Sequence, residues 1–248
     1  MRLQYLLLPT FAALVFACGG KGKEVTSEIT KAPDTATNAK EWEVLFDGNN
    51  LDAWHKYGGD DVGEAWVVED GMLHLDASKK DDNGVVIGGG DIVTDEAYND
   101  YELELEWKIG PCGNSGIIYN IVETEDNDYM WLTGPEMQVL DNTCHPDAKI
   151  YKHRAGDLYD MIAADSLAVK PAGEWNKIRL VVTDEKVEHW MNGQKVVEYN
   201  PSGEVMEAMI AESKFKDFKD FGKSTSGLIG LQDHGDPVWY RNIRIREL

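Results

Sequence analysis

Strict alternation marks the middle of the chain. Tyr101, Leu103, Leu105, Trp107 and Ile109 are separated by Glu102, Glu104, Glu106 and Lys108. A period of two puts the apolar set on one face of a strand and the charges on the other. The glutamates read as a solvated outer face, with a metal-binding row as the alternative. Two dipeptides set hairpins. Asp70-Gly71 separates Ala65–Val68 from Met72–Leu75, and Asn192-Gly193 separates Val187–Met191 from Gln194–Tyr199. Both suit two-residue turns that need positive φ. Further strands are predicted at 42–47, 84–94, 115–122, 135–141, 174–183, 226–232 and 237–247. Only 204–221 has helical spacing, with Val205, Met206, Met209, Ile210 and Phe218 toward one face. No internal repeat is visible. Many short strands joined by Gly, Asn and Asp turns predict an all-β sandwich or barrel.

The N-terminus departs from this pattern. Arg2 precedes an apolar run from Leu6 to Ala17, which a cysteine, Cys18, follows. A basic start, a short apolar stretch and a small residue before cysteine predict a lipoprotein signal over residues 1–17, with Cys18 as the lipidated residue. The run is too short for a comfortable membrane-spanning helix. Residues 18–40 lack apolar periodicity and read as a flexible tether. Residues 41–248 are then one β domain with enough chain to bury a core. Its expected location is the bacterial cell envelope, held at the outer membrane or facing the periplasm through the lipid alone.

A net charge of −21 argues against nucleic acid and against anionic membrane surfaces as partners. It suits solubility in the envelope, and divalent cation binding is the sharper alternative. Cys112 and Cys144 remain after Cys18, with no Cys-x-x-Cys motif. Export permits a disulfide, but the sequence gives no distance between them, so paired and free thiols both stay open.

Candidate chemistry concentrates at the ends of two apolar runs. One is Gly134–Asp147, containing Glu136, Gln138, Asp141 and His145; the other is Gly230–Asn242, containing Gln232, Asp233, His234 and Asp236. Glu136 and Gln138 share a strand face, so if Met137 and Val139 pack inward they point into a groove. Asp141 has the parity of the apolar pair and must sit at a strand end or bulge, because a lone buried carboxylate is costly. His145 and His234, on loops, suit proton transfer near neutral pH. His153 and Arg154 follow closely, and Lys108 and Asn114 flank the Gly113-Asn-Ser-Gly116 turn. Trp131 is the favoured sugar-stacking platform among Trp54, Tyr119, Tyr159, Trp239 and Tyr240. His55, His74 and His189 lie within strands and read as structural. No phosphate-binding glycine pattern, Gly-x-Ser-x-Gly elbow or His-Glu-x-x-His zinc motif is present.

These segments resemble, in order, the bacterial 3-keto-disaccharide hydrolase family. The matching stretches include Phe46–Trp54, Trp66–Leu73, Gly113–Gly116, Pro135–Asn142, His145–Ala148, His153–Gly156, Leu158–Asp160, Gly173–Asn176, His189–Gly193 and Gln232–Asp236. The resemblance implies a concanavalin-like jelly roll of two antiparallel sheets and cleavage of glycosides oxidised to a ketone at sugar position 3. Such a ketone acidifies the hydrogen on C2, so a base can form an enolate that expels the C1 substituent, and water can add back. His145 or Glu136 is the expected base. Arg154, Lys108 or a divalent cation is the expected enolate partner, and His234 the group assisting departure. Gln138, Asp141, His153, Asn114, Gln232, Asp233 and Trp131 are expected to hold substrate. A non-catalytic carbohydrate-binding module and a conventional glycoside hydrolase are the rival readings. The latter needs paired carboxylates, and the Glu-x-Asp-x-x-Glu arrangement of sandwich-fold retaining enzymes is missing. The resemblance fixes no cofactor, and a divalent cation stays open.

The lipid anchor yields one expected outcome. Cys18→Ser should move the protein from the membrane fraction to the soluble fraction on fractionation and leave the β domain's circular dichroism unchanged. Undiminished membrane partitioning would count against the anchor.

Overall fold

A computed structural model describes residues 40–164 and 168–248; the signal, Cys18 and the tether up to residue 39 lie outside the described residues. Among the described residues, thirteen strands and one α-helix follow one another. They are β1 (Glu43–Phe46), β2 (Trp54–Lys56), β3 (Trp66–Glu69), β4 (Met72–Leu75), β5 (Ile92–Thr94), β6 (Tyr101–Ile109), β7 (Asn114–Ile121), β8 (Glu136–Leu140), β9 (Asn176–Val182), β10 (Val187–Met191), β11 (Gln194–Tyr199), α1 (Gly203–Glu212), β12 (Leu228–Leu231) and β13 (Val238–Glu247). The strands form a two-sheet jelly-roll sandwich. One sheet runs β11-β10-β9-β6-β13-β4-β3, with β1 also on β13, and the other runs β2-β5-β12-β7-β8. Every pairing is antiparallel.

The alternation seen in the sequence builds this core. Tyr101, Leu103, Leu105, Trp107 and Ile109 are fully or almost fully buried between the sheets. Both hairpin turns have positive φ at each central residue: 50° and 74° at Asp70-Gly71, 49° and 84° at Asn192-Gly193. Three elements differ from expectation. The strand predicted at 84–94 forms only at its end, because Gly88 and Gly90 adopt φ of 74° and 125° and turn 84–91 into a loop. The three-residue β2 had no sequence signal. The helix predicted at 204–221 stops at Glu212. There the Ser213 hydroxyl donates to the Ile210 carbonyl at 2.8 Å and accepts from the Phe215 amide at 3.1 Å, starting a separate 3-10 turn over Lys214–Asp217.

The outward face of β6 is an ion-pair ladder. Arg241 and Arg244 of β13 each reach a glutamate directly opposite, Glu106 and Glu104, at 2.6 Å, and Arg246 pairs with Glu102. Lys108 belongs to the same face. Its ammonium sits 4.3 Å from the Trp239 ring centroid and 5.1 Å from that of Trp175, and His74 stacks on Trp239 at 4.5 Å. Cys112 and Cys144 form a disulfide with Cα atoms 4.7 Å apart.

Two polar ties cross the core from β7. Ser115 Oγ donates to the Gln232 carbonyl at 2.7 Å and bonds the Tyr240 hydroxyl of β13 at 2.8 Å. His189 of β10 meets the Gly156 carbonyl through Nδ1 at 3.2 Å. A carbonyl only accepts, so Nδ1 carries the proton. Nε2 then accepts from the Tyr119 hydroxyl at 2.9 Å, and Tyr119 accepts from Tyr199 at 2.8 Å. Burial pushes the imidazole down to about 4 and outweighs the Gly156 bond, so His189 is neutral.

That neutrality predicts a pH dependence of stability. The folded value, about 4, lies below the ordinary 6.5, so the unfolded chain binds the proton more readily between them. The stability from this group is complete above pH 6.5 and is lost as pH falls toward 4, by on the order of 3 kcal/mol. His189→Gln should flatten the fall in urea midpoint between pH 6.5 and 4 relative to wild type. Parallel curves for the two proteins would exclude the histidine as its source.

Candidate active site

The outward face of the five-stranded sheet carries a cavity of about 640 Å³. Strand parity decides what lines it. On β8, Met137 and Val139 enter the core, which leaves Glu136 and Gln138 facing the cavity. On β7, Ser115, Ile117 and Tyr119 turn inward, and Asn114 lines the cavity. Gly116 stands opposite Gln138, and the Glu136 side chain lies across it so closely that a Cβ at position 116 would collide with the carboxyl group.

Glu136 is 7% exposed, and no described residue hydrogen-bonds its carboxyl. Burial pushes its pKa up to about 8; the Lys214 ammonium opposes the rise, and the charges of Asp91 and Asp147 add to it. Near neutral pH this group holds a proton yet can release it, the condition suited to proton transfer. Gln138 is oriented by its own strand: Oε1 accepts from the Val139 amide at 2.9 Å, which leaves its NH2 without an acceptor among the described residues. Asn114 Oδ1 is buried without a partner among them, an acceptor that a ligand hydroxyl or water would satisfy.

The loop after β12 supplies Gln232, Asp233 and His234 to the cavity wall. Asp233 is a clamp. Its two carboxylate oxygens accept from the Gly90 and Gly235 amides, both at 2.8 Å, and its own amide donates to Asp91 Oδ1 at 2.9 Å. Asp91, at the base of the 84–91 loop, is pushed up to about 7, chiefly by burial and also by the Asp233 charge, against the Asp233 amide and Lys56. His234 is exposed and meets the His145 ring at right angles, with centroids 6.4 Å apart. His145 Nδ1 accepts from the Asp147 amide at 3.2 Å, which leaves Nε2 free for other chemistry.

Lys214 completes the electrostatics. Its ammonium lies 4.0 Å from the Tyr159 ring centroid, and desolvation lowers its pKa while Glu136, Asp160 and Asp147 pull it back up. Its backbone amide donates to Asp160 Oδ2 at 2.6 Å. The other Asp160 oxygen bonds His153 Nε2 at 2.8 Å. His153 is buried and stands behind Lys214 rather than in the cavity.

The three sequence clusters therefore meet unequally. Glu136, Gln138, Asn114, Trp131, Gln232, Asp233 and His234 line one cavity, with His145 beside His234. Four expected residues are placed elsewhere. Lys108 is on the outer face of the opposite sheet, held between two indoles. Arg154 packs its guanidinium 5.8 Å from the Tyr151 ring centroid and does not line the cavity. Asp141 ends β8 and builds a turn, accepting from the Cys112 and Thr143 amides at 2.9 Å and from the Thr143 hydroxyl at 2.7 Å. His153 is the fourth. Among the other aromatics, Tyr159 lines the cavity, Trp54, Tyr119 and Tyr240 are core, and Trp239 is on the far face. Lys56, Asp91, Tyr129 and Lys214 line the cavity without having been singled out from sequence. Lys214 fell inside an apparent helix, and Asp91 inside an apparent strand.

A cation has one grouping to consider among the described residues, Cys112, Asp141 and Cys144, whose ligand atoms lie within 4.8 Å. It does not fit. The sulfurs are bonded to each other, and the Asp141 carboxylate already has three donors.

The Gly116 contact gives a test independent of any activity. Gly116→Ala should preserve the fold, yet it should displace the Glu136 carboxyl from its buried position. Its titration midpoint, read by NMR on labelled glutamate, should fall from about 8 toward the ordinary 4.5. An unmoved midpoint would mean that this contact does not hold the carboxyl in place.

Comparison with known proteins places this geometry. A protein of Bacteroides thetaiotaomicron named 3-keto-disaccharide hydrolase is 37% identical over 229 residues, which span 83% of this chain and 78% of that protein. The crystal structure of a candidate glycosyl hydrolase from Parabacteroides distasonis is similar with a TM-score of 0.72 at 31% identity, over 84% of this chain and 94% of that one. A Bacillus subtilis protein with a galectin-like fold shares the fold alone, with a TM-score of 0.51 at 11% identity over 84% of this chain and 96% of that one. Residues 41–246 match the family described as 3-keto-alpha-glucoside-1,2-lyase-like, and the chain belongs to that family.

Proposed function

We propose that this protein cleaves glycosides whose sugar carries a ketone at position 3, by elimination across C1 and C2 followed by addition of water. Family membership and the named relative support glycosidic cleavage of such substrates. The observation that carries the mechanism is Glu136: a carboxyl group buried across Gly116, unbonded, with its pKa raised to about 8.

In this reading Glu136 takes the proton from C2. The electron pair moves into an enolate whose oxygen is the former C3 ketone. The Lys214 ammonium and the Gln138 amide N–H groups stabilise that negative charge, which develops only in the transition state. Lys214 replaces Arg154 and Lys108, which do not line the cavity. The C1–O bond breaks, and His234, with His145 beside it, protonates the departing oxygen. Water adds to C1 of the resulting enone and a proton returns to C2, which completes a hydrolysis. Asn114 and Gln232 hold sugar hydroxyls. Every proton moved has a residue to carry it. The N-terminal sequence supports anchoring at the envelope through Cys18, where oxidised saccharides would be met.

The sign of the pH dependence follows from the base. Glu136 works ionised, so kcat/KM should rise with pH and level off above about 8. Glu136→Gln should lower turnover of a 3-keto-glucoside by ~10²-fold or more and abolish the rise. At pH 8 the variant should be at least as stable as wild type, because it removes a buried group whose ionisation is costly. Lys214→Met should lower kcat and move the limb to higher pH, since the ammonium holds the Glu136 value down. Cleavage of the unoxidised parent glycoside at a comparable rate would overturn the mechanism. Binding of both sugars without cleavage would leave a carbohydrate-binding module.

A further inference from the structure

The proton transfers use only part of the cavity wall. Tyr129 and Trp131 line the cavity and stack on each other, with centroids 5.1 Å apart and planes 15° from parallel. Tyr129 is 52% exposed. The pair is backed by a fixed aromatic layer. Trp131 leans on Phe218 at 5.6 Å, Phe218 meets Phe215 edge-on at 5.7 Å, and Phe215 stacks on Phe221 at 3.9 Å. The segment carrying Tyr129 is pinned from below, where the Tyr57 hydroxyl donates to the Asn127 carbonyl at 2.9 Å. Trp131 Nε1 has no hydrogen-bond acceptor among the described residues. On the 84–91 loop, which also lines the cavity, Val85 is 61% exposed.

We propose that Tyr129 and Trp131 form the subsite for the leaving group, and that the leaving group preferred is a ring with an apolar face. The inference rests on the elimination reading for deciding which end of the substrate lies here. In that reading Glu136 and His234 carry the protons, and Gln138 and Asn114 hydrogen-bond the reacting sugar. The Tyr129–Trp131 shelf offers no carboxylate, amine or imidazole. It offers flat apolar area and one indole N–H, which recognise a ring face and a single oxygen. Rigid aromatics lose little conformational freedom on binding, so the stacking surface is prepared in advance. A cavity of about 640 Å³ has room for a ring beyond the reacting sugar.

The test compares leaving groups. Wild type, Tyr129→Ala and Trp131→Ala are assayed on a 3-keto-disaccharide, a nitrophenyl 3-keto-glucoside and methyl 3-keto-glucoside. The shelf predicts that each variant loses about tenfold in kcat/KM on one or both ring-bearing substrates, mostly through KM, and less than about twofold on the methyl glycoside. The disaccharide and nitrophenyl arms separate a second sugar from an aryl group. Equal losses on all three substrates, or no loss on any, would overturn the proposal. Tyr129 is exposed, so its variant keeps the test valid if Trp131→Ala fails to fold. Calorimetric binding of the same compounds to Glu136→Gln separates the two readings. If Glu136→Gln still cleaves, the base assignment fails, and ring-selective binding that Tyr129→Ala removes still supports the shelf. If the methyl and ring-bearing compounds bind equally, the shelf fails while the base assignment stands.

Discussion

Hydrogen bonds that cross the core from β7 hold the cavity in shape. Ser115 ties β7 to Tyr240 of the opposite sheet and to the carbonyl of Gln232, where the chain leaves β12 for the His234 loop. Tyr119 ties it to His189 and Tyr199, and His189 in turn holds the carbonyl of Gly156. Each polar group sits among apolar residues, where leaving it unpaired would cost far more than its bond contributes. The bonds therefore act mainly as constraints of position. They fix the relation between the two sheets, and with it the loops that reach the cavity from 232–236 and 153–160.

The same strand has opposite duties on its two faces. Inward it carries aromatic and β-branched bulk. Outward it is cut back to Gly116, so that the β8 glutamate can lie against the backbone. A carboxyl group there is expensive when ionised and tolerable when protonated, and the rise of Glu136 to about 8 expresses that preference. Lys214 limits the rise from across the cavity. Asp160 joins the backbone of Lys214 to the ring of His153, so the balance depends on a segment well beyond the strand it serves along the chain.

The acidic surface has a different physical meaning. Glu102, Glu104 and Glu106 face β13 arginines across the strand, on the sheet opposite the cavity. Part-exposed pairs of this kind contribute little to stability individually. They do fix cross-strand register, because a slip by one residue would bring arginines into the core. Jelly-roll sandwiches serve unrelated functions, so the fold alone does not give the activity; here the argument for chemistry rests on the residues of the cavity.

Period-two alternation, two positive-φ dipeptides and the run of family-like segments are local properties. They determined the β architecture, most strand positions and the two hairpin turns. Strand parity also indicated that Glu136 and Gln138 would share a face opposite Met137 and Val139. Other features needed tertiary structure, because they depend on what arrives from a distance. Lys108 and Asp141 sit near the site in sequence, yet the strand of one joins the opposite sheet and a turn consumes the other. Lys214 is remote, and Ser213 had to break an apparent helix before it could face Glu136. The alternation of β6 was readable because each residue's environment follows from its own strand. The pKa of Glu136 was not, because burial, Gly116 and a lysine on another segment set it together.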